Sequence, residues 1–305
     1  WSLDDYFVET NVAGLLVVQD GNVAYERYGL GNTPSTRWVS YSVAKSVTSM
    51  LVGAAVQDGY IESVDESVAT YLPRLAGSAY ARTTIRQLMQ MASGVEWDET
   101  YDDPDSDVYI DNWGSLFVQR YLARKPRVAE PGAKFNYNTA ETNLVGTLLR
   151  AAIGNNLSSY LSEKIWRPFG MESGAKWTLT EAGGGEFGGC CLNATLRDYA
   201  RLGLLALGGG QLPDGRRVLP EGWMRESTQP SPANPGYGYL WWLAEGEAFR
   251  ASGIFGQRIY IDPDSGVVIA QHAARAAASK DEDWNLQTAM EAAVSAALAQ
   301  PSGSH

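Results

Sequence analysis

The feature that most constrains this chain is the apolar run Ser46-Val47-Thr48-Ser49-Met50-Leu51-Val52-Gly53-Ala54-Ala55-Val56, which follows directly on Ser42-Val43-Ala44-Lys45. Val43, Val47, Met50, Leu51 and Ala54 recur at helical spacing, so the segment predicts a buried helix that Asp58-Gly59 stops. At its head a serine opens the helix and a lysine follows one turn later. Residues three apart share a helix face, so the Lys45 ammonium reaches the Ser42 hydroxyl and helps to remove its proton. The partial positive charge at a helix N-terminus favours the alkoxide that would develop at Ser42. Together these make a nucleophile without histidine.

Composition removes most competing chemistries. Two histidines occur, His272 and His305, which leaves no H-E-x-x-H and no two-histidine metal site; G-x-S-x-G and a Walker A loop are also missing. A Ser-His-Asp triad would need His272, which lies in the strand-like Val267-Val268-Ile269-Ala270-Gln271-His272 and is expected to be structural. The neighbours Cys190 and Cys191 are expected to be small buried side chains, because adjacent cysteines rarely close a sound disulfide. No cofactor or metal is implied. A net charge of -11 argues against binding a phosphate backbone, so nucleic acid is not an expected partner. No stretch of eighteen apolar residues predicts a membrane span. Trp1 opens the chain without a methionine, which is compatible with a removed leader, and Pro301-Ser302-Gly303-Ser304-His305 reads as a flexible tail.

The order of elements predicts the architecture. A short helix is expected before Glu9, then strands Gly14-Leu15-Leu16-Val17-Val18-Gln19 and Asn22 to Gly29 joined by the hairpin signal Asp20-Gly21. The middle of the chain carries helical patterns: Thr83 to Val95, Trp113 to Ala123, Ala140 to Ile153, Leu157 to Ile165 and Leu196 to Leu207. Strands return at Gly238 to Leu243, Gln257 to Asp262 and Gly266 to Gln271, and an alanine-rich helix from Glu282 to Ala299 closes the pattern. The expectation is an α/β (α+β) fold with one antiparallel sheet built from both chain ends, flanked by helices and carrying a helical insertion. Residues 1-75 and 237-305 would form the sheet part and 76-236 the mainly helical part of one catalytic unit.

Four stretches carry a family resemblance: Ser42-Val43-Ala44-Lys45, Asp65 to Pro73, Thr84-Ile85-Arg86-Gln87-Leu88 with Ser93-Gly94, and Pro131-Gly132-Ala133-Lys134-Phe135-Asn136-Tyr137-Asn138-Thr139. In this order they resemble the serine β-lactamase and penicillin-recognising superfamily. Met91-Ala92-Ser93-Gly94-Val95, the acidic loop Asp98 to Asp111, Gly238-Tyr239-Leu240-Trp241-Trp242 and Gly253-Ile254-Phe255-Gly256-Gln257 make it most similar to the class C-like branch, with 6-aminohexanoate-dimer hydrolases and family VIII esterases. The resemblance implies a β-lactamase-like fold and a bacterial, soluble enzyme of the cytoplasm, periplasm or secreted fraction, acting on a small molecule as monomer or homodimer. It implies that Tyr137, in the Tyr-x-Asn or Tyr-x-Ser position, takes the Ser42 proton and returns it to the leaving group. The neighbouring Lys45 charge is expected to lower its pKa. The backbone N–H groups of Ser42 and Ile254 would hold the oxyanion, with Gly253 beside them. Tyr101 would hydrogen-bond the scissile amide nitrogen, Asp111 would receive a substrate ammonium, and Trp241 would form an apolar wall. The superfamily's third element, a lysine or histidine followed by Thr-Gly, is replaced by Ala251-Ser252-Gly253. The cation that helps receive a penicillin or peptide carboxylate is therefore missing. The expected function is a serine hydrolase working through an acyl-enzyme on linear amides of 6-aminohexanoate-dimer type or short-chain esters. The alternatives are β-lactamase or D-Ala-D-Ala carboxypeptidase activity and a non-catalytic sensor module.

Overall fold

Both faces of the larger antiparallel sheet are covered at its central strands, which explains why Val12–Gln19 and Val267–Ala273 read as nearly continuous apolar runs. The structure, a computed structural model, describes residues 2–278 and 280–299, so the tail read above and His305 lie outside the described residues. Strands β1 (Val12–Gln19), β2 (Asn22–Tyr28), β3 (Arg37–Val39), β4 (Lys176–Trp177), β5 (Leu192–Thr195), β6 (Trp242–Leu243), β7 (Phe249–Ser252), β8 (Arg258–Asp262) and β9 (Val267–Ala273) form two sheets. The larger has the order β2-β1-β9-β8-β7-β6 and joins both ends of the chain; the smaller is β3-β5-β4. The helices are α1 (Leu3–Glu9), α2 (Val43–Gln57), α3 (Val68–Tyr71), α4 (Ile85–Met89), α5 (Ser115–Ala123), α6 (Thr139–Ile153), α7 (Leu157–Leu161), α8 (Leu196–Leu207), α9 (Trp223–Ser227) and α10 (Asp281–Ala299).

Side chains alternate across a strand, so each run feeds two cores. Leu16, Val18, Ile259, Ile261, Val268 and Ala270 pack with α2, α6 and α8 in the main core. Leu15, Val17, Tyr260, Val267 and Ile269 face Tyr6, Phe7 and Met290 of the terminal helices α1 and α10. Gly203 lets α8 approach the sheet: a Cβ there would lie 2.5 Å from Val268 Cγ1. Helix α2 is buried along nearly its whole length, as its sequence predicts, with Asp58 at its C-cap and Gly59 at φ 78° ending it.

The differences from the sequence expectations lie in short elements. The three strands of the small sheet and β7 are two to four residues long, too short to show a period of their own. The stretch Gly238 to Leu243 is strand only at Trp242–Leu243, because Leu240 takes a left-handed φ of 60° and breaks the extended run. Cys190 and Cys191 are joined to each other as a vicinal disulfide rather than standing as separate side chains. Cys191 sits at φ 71° to allow it.

His272 is fully buried on β9, stacked 6.0 Å from Trp38 and edge-on at 4.9 Å to Tyr199, with no partner for Nε2. Burial holds its pKa down at about 3, so the folded protein keeps it neutral. The unfolded chain protonates it near 6.5 and the folded chain does not, so its contribution to stability is lost as pH falls from about 6.5 toward 3. The urea stability of wild type relative to His272→Leu is expected to fall by about 1.4 kcal/mol per pH unit across that window. A difference that stays flat between pH 7 and pH 4 would show that the folded protein accepts the proton.

Candidate active site

Ser42 is the N-cap residue of α2, and the residue before it, Tyr41, takes a left-handed φ of 44°. A non-glycine residue held there is strained, and such strain persists only where the surroundings enforce it. Here Ser40 is tied by two bonds to β5, its N–H donating to Leu192 O at 2.9 Å and the Leu192 N–H donating to Ser40 Oγ at 3.0 Å. The Tyr41 ring meets Phe255 edge-on at 4.7 Å. The small sheet thus fixes the approach to Ser42.

One turn into α2, Lys45 is 2 % exposed. Its Nζ donates to Ser42 Oγ at 3.0 Å, to Thr139 Oγ1 at 3.0 Å and to Gly189 O at 2.9 Å. Gly189 is required for this contact, since a Cβ would lie 2.9 Å from Thr139 O and 3.5 Å from the amine. Burial lowers the Lys45 pKa to about 8, against an opposing pull from the Glu99 charge. At mildly alkaline pH the amine is neutral and its lone pair can accept the Ser42 proton.

Tyr137 stands at the end of the loop that Asn138 caps into α6, and Lys45 Nζ lies 5.0 Å from its ring centre. Its pKa is raised by burial, with the Ser42 hydroxyl opposing and Glu99 adding to the rise. The expectation of a lowered value is corrected. The nearby cation does not outweigh the loss of water around the phenol, so Tyr137 holds its proton and can act as a donor.

Glu99, which the sequence places in an acidic loop, joins this network. It accepts from Thr139 Oγ1, from the Thr139 N–H at 3.1 Å, from Tyr101 OH at 2.8 Å and from Trp97 Nε1. Because the Thr139 proton goes to Glu99, the Thr139 oxygen is left to receive the lysine N–H. Only the spacing Glu99-x-Tyr101 could have signalled this pairing. Tyr101 is therefore brought beside the site, its proton spent on Glu99 and its oxygen free to accept. Asp111 is exposed and joins none of these bonds. The carboxylate that anchors the loop is Asp107. It accepts from the Asp98 N–H at 2.9 Å, from Lys125 Nζ at 2.5 Å and from Tyr121 OH. Burial would raise its pKa, but Lys125 and Tyr121 hold it below the usual value.

Trp241 is not the pocket wall. It is 1 % exposed, packed edge-on at 5.2 Å against Phe249 in the core. Neighbouring residues of an extended stretch point to opposite faces, so Trp242 faces the site instead, stacked at 5.8 Å on Tyr137 and 4.7 Å from Tyr237. Gly253 follows β7, where its N–H donates to Gln257 O at 2.8 Å and a Cβ would lie 2.7 Å from Ser40 O. That close approach brings the turn carrying Ile254 against the segment leading to Ser42. Ile254 lines a cavity of about 340 Å³ with Tyr137, Trp242 and Ser252. Among the described residues no cluster of three or more His, Cys, Asp or Glu could hold a metal ion.

Comparison with known proteins finds relatives over nearly the whole chain. The family model described as Beta-lactamase matches residues 5–292. The 6-aminohexanoate-dimer hydrolase of Paenarthrobacter ureafaciens is 29% identical over 294 residues, covering 88% of this chain and 74% of that protein. A Bacillus anthracis structure provisionally named as a 6-aminohexanoate-dimer hydrolase superposes with a TM-score of 0.83 at 27% identity, over 98% of this chain and 82% of that one. A family VIII carboxylesterase shares the fold, with a TM-score of 0.73 at 17% identity over 94% of each chain.

A fluorophosphonate probe is expected to label the protein at a rate that climbs with pH and levels off above about 8, as Lys45 loses its proton. Labelling should vanish in Ser42→Ala. In Glu99→Gln the inflection should move to lower pH, because the charge that supports the Lys45 ammonium is gone. An inflection that does not move would uncouple Glu99 from the amine.

Proposed function

The chain belongs to the beta-lactamase family, and from that premise we propose that it is a cofactor-free serine hydrolase cleaving linear amides of 6-aminohexanoate-dimer type or short-chain carboxylic esters. One observation carries the reading: a desolvated lysine amine 3.0 Å from a serine hydroxyl at a helix N-terminus. A binding module has no need of such a pair.

In this reading Ser42 Oγ attacks the carbonyl carbon while its proton passes to the neutral Lys45 Nζ. The developing oxyanion is held by the N–H groups of Ser42 and Ile254. Tyr137 donates its proton to the departing nitrogen or oxygen and is reprotonated from the Lys45 ammonium beside it. Water then hydrolyses the acyl-enzyme by the same groups in reverse. The amide preference rests on Tyr101, whose oxygen can accept the amide N–H while its own proton stays on Glu99. Asp111 would receive the ammonium end of such a dimer, as an exposed carboxylate with no ion-pair partner among the described residues. The name shared by the Paenarthrobacter relative supports the same substrate class.

The deciding measurement is the initial rate of linear 6-aminohexanoate dimer cleavage beside that of p-nitrophenyl butyrate, with Ser42→Ala as control. Serine-dependent cleavage of the dimer supports an amidase. Cleavage of the ester alone makes the protein a carboxylesterase and removes Tyr101 and Asp111 from substrate binding. Tyr137→Phe should lower kcat on either substrate by about a hundredfold or more while leaving fluorophosphonate labelling detectable. Near-normal turnover would take the phenol out of the proton path.

A further inference from the structure

Cys190 and Cys191 are the only cysteines of the sequence, they are bonded to each other, and neither takes part in the proton path proposed for Ser42. They lie where the chain passes the active site. The Gly189 carbonyl, one residue before the pair, accepts from Lys45 Nζ at 2.9 Å, and Gly188 O accepts from Thr48 Oγ1 at 2.7 Å. The Cys191 N–H donates to Tyr41 O at 3.4 Å. That carbonyl belongs to the Tyr41–Ser42 peptide, whose N–H is the oxyanion donor of the proposed mechanism. A peptide unit is planar and turns as one body, so a bond to its carbonyl also aims its N–H. The pair therefore touches the base on one side and the oxyanion donor on the other.

Cys191 sits at φ 71°, a left-handed conformation that residues with a side chain rarely adopt. The S–S bond closes a ring over the Cys190–Cys191 peptide, so Cys191 is not free to turn to an ordinary φ while the ring is intact. On its C-terminal side the residue is anchored. Its carbonyl accepts from the Thr178 N–H at 3.0 Å and from Asn193 Nδ2 at 3.1 Å, and β5 begins at the next residue. With the ring open, relaxation of φ must swing the N-terminal side. That motion carries the Cys191 N–H away from Tyr41 O and draws the Gly189 carbonyl away from Lys45. Both cysteines are partly exposed, so a thiol in solution can reach sulfur.

We propose that Cys190–Cys191 is a thiol–disulfide modification site whose redox state sets the geometry of the Ser42–Lys45 pair, the disulfide form being the reactive one. The reductant is a dithiol. One of its thiolates attacks a sulfur of the pair, forming a mixed disulfide and releasing the other cysteine as a thiolate that takes up a proton. The second thiol of the reductant then closes its own disulfide and frees the remaining cysteine, so the pair gains the two electrons and two protons that the dithiol gives up. A small disulfide reverses the step and leaves as its two thiols. The effect on reactivity rests on the hydrolase reading; the redox site and its coupling to the segment around Ser42 do not.

The experiment compares the intact protein in its disulfide form with the same protein reduced by dithiothreitol and then freed of it. Thiol titration should find no free thiol before reduction and two per chain after, the whole cysteine content, and oxidised glutathione should close them again. Fluorophosphonate labelling at a pH above the Lys45 inflection should slow about tenfold or more on reduction and recover on reoxidation, because the base and the oxyanion donor both lose alignment. Amide hydrogen exchange over residues 40–45 and 188–192 should quicken in the reduced form. The paired variant Cys190→Ser with Cys191→Ser should label slowly and respond to neither reagent. Cys190→Ser with Cys191→Gly should label faster than the double serine variant, since glycine reaches a left-handed φ without the ring. Labelling at an unchanged rate in reduced wild type overturns the proposal. So does free thiol that persists in oxidised glutathione, a dithiol-dependent slowing that remains in the double serine variant, or a glycine variant as slow as the serine one. No labelling in either form, with the redox-dependent change in exchange present, would refute the hydrolase reading and leave the redox site standing.

Discussion

The structure turns on a lysine amine taken out of water. Burying Lys45 disfavours its charged form, and the chain offsets this with acceptors drawn from distant segments: Ser42 Oγ one turn back, Thr139 Oγ1 at the start of α6, and the carbonyl of Gly189. Each acceptor constrains a different element. Thr48, on the same helix face as Lys45, adds a bond at 2.7 Å to Gly188 O, and Ser46 bonds Leu240 O at 2.6 Å. A helix as apolar as α2 could pack in many rotations. These polar side chains, buried and paired, admit one.

The same constraint explains why the sheet needs covering on both faces. The turn carrying Ile254 must reach the segment before Ser42 without relaxing, and it is the exit of β7 that aims it. A strand open to water on one side could shift by tenths of an ångström. With α8 on one face and α1 and α10 on the other, the strand is clamped between two cores. The left-handed Tyr41 is the matching device on the opposing segment.

Much of this is legible in the residues, and the omissions share a cause. Ser42, Lys45 and the helix behind them show a strong local period, and the strands at both ends carry enough apolar residues to mark the sheet. Glu99 was hidden because an acidic loop reads as solvated, and only three-dimensional closure brings Thr139, Tyr101 and Trp97 onto its carboxylate. Trp241 and Trp242 are indistinguishable by type; the left-handed Leu240 before them decides which one faces Tyr137. The direction of the Tyr137 pKa is not legible in the motif, which shows a neighbouring charge, whereas desolvation depends on everything packed around the phenol.

The two fully buried cations of this site region differ in kind, and the difference follows from what each can lose. Lys45 has no carboxylate in direct contact; Glu99 acts on it through the Thr139 hydroxyl, and burial brings its pKa down to about 8. It can surrender its proton, which is what removing the serine proton requires. Arg258 is buried as completely, yet its pKa falls only to about 10, so it stays charged at every pH where Lys45 changes state. A group that cannot discharge must be neutralised in place, and Glu291 stands 2.9 Å from its Nε. Exchanging the two side chains would spoil both positions: an arginine beside Ser42 could not act as a base, and a lysine beside Glu291 would lack the planar fork that reaches Ser252 and Glu291 from separate nitrogens.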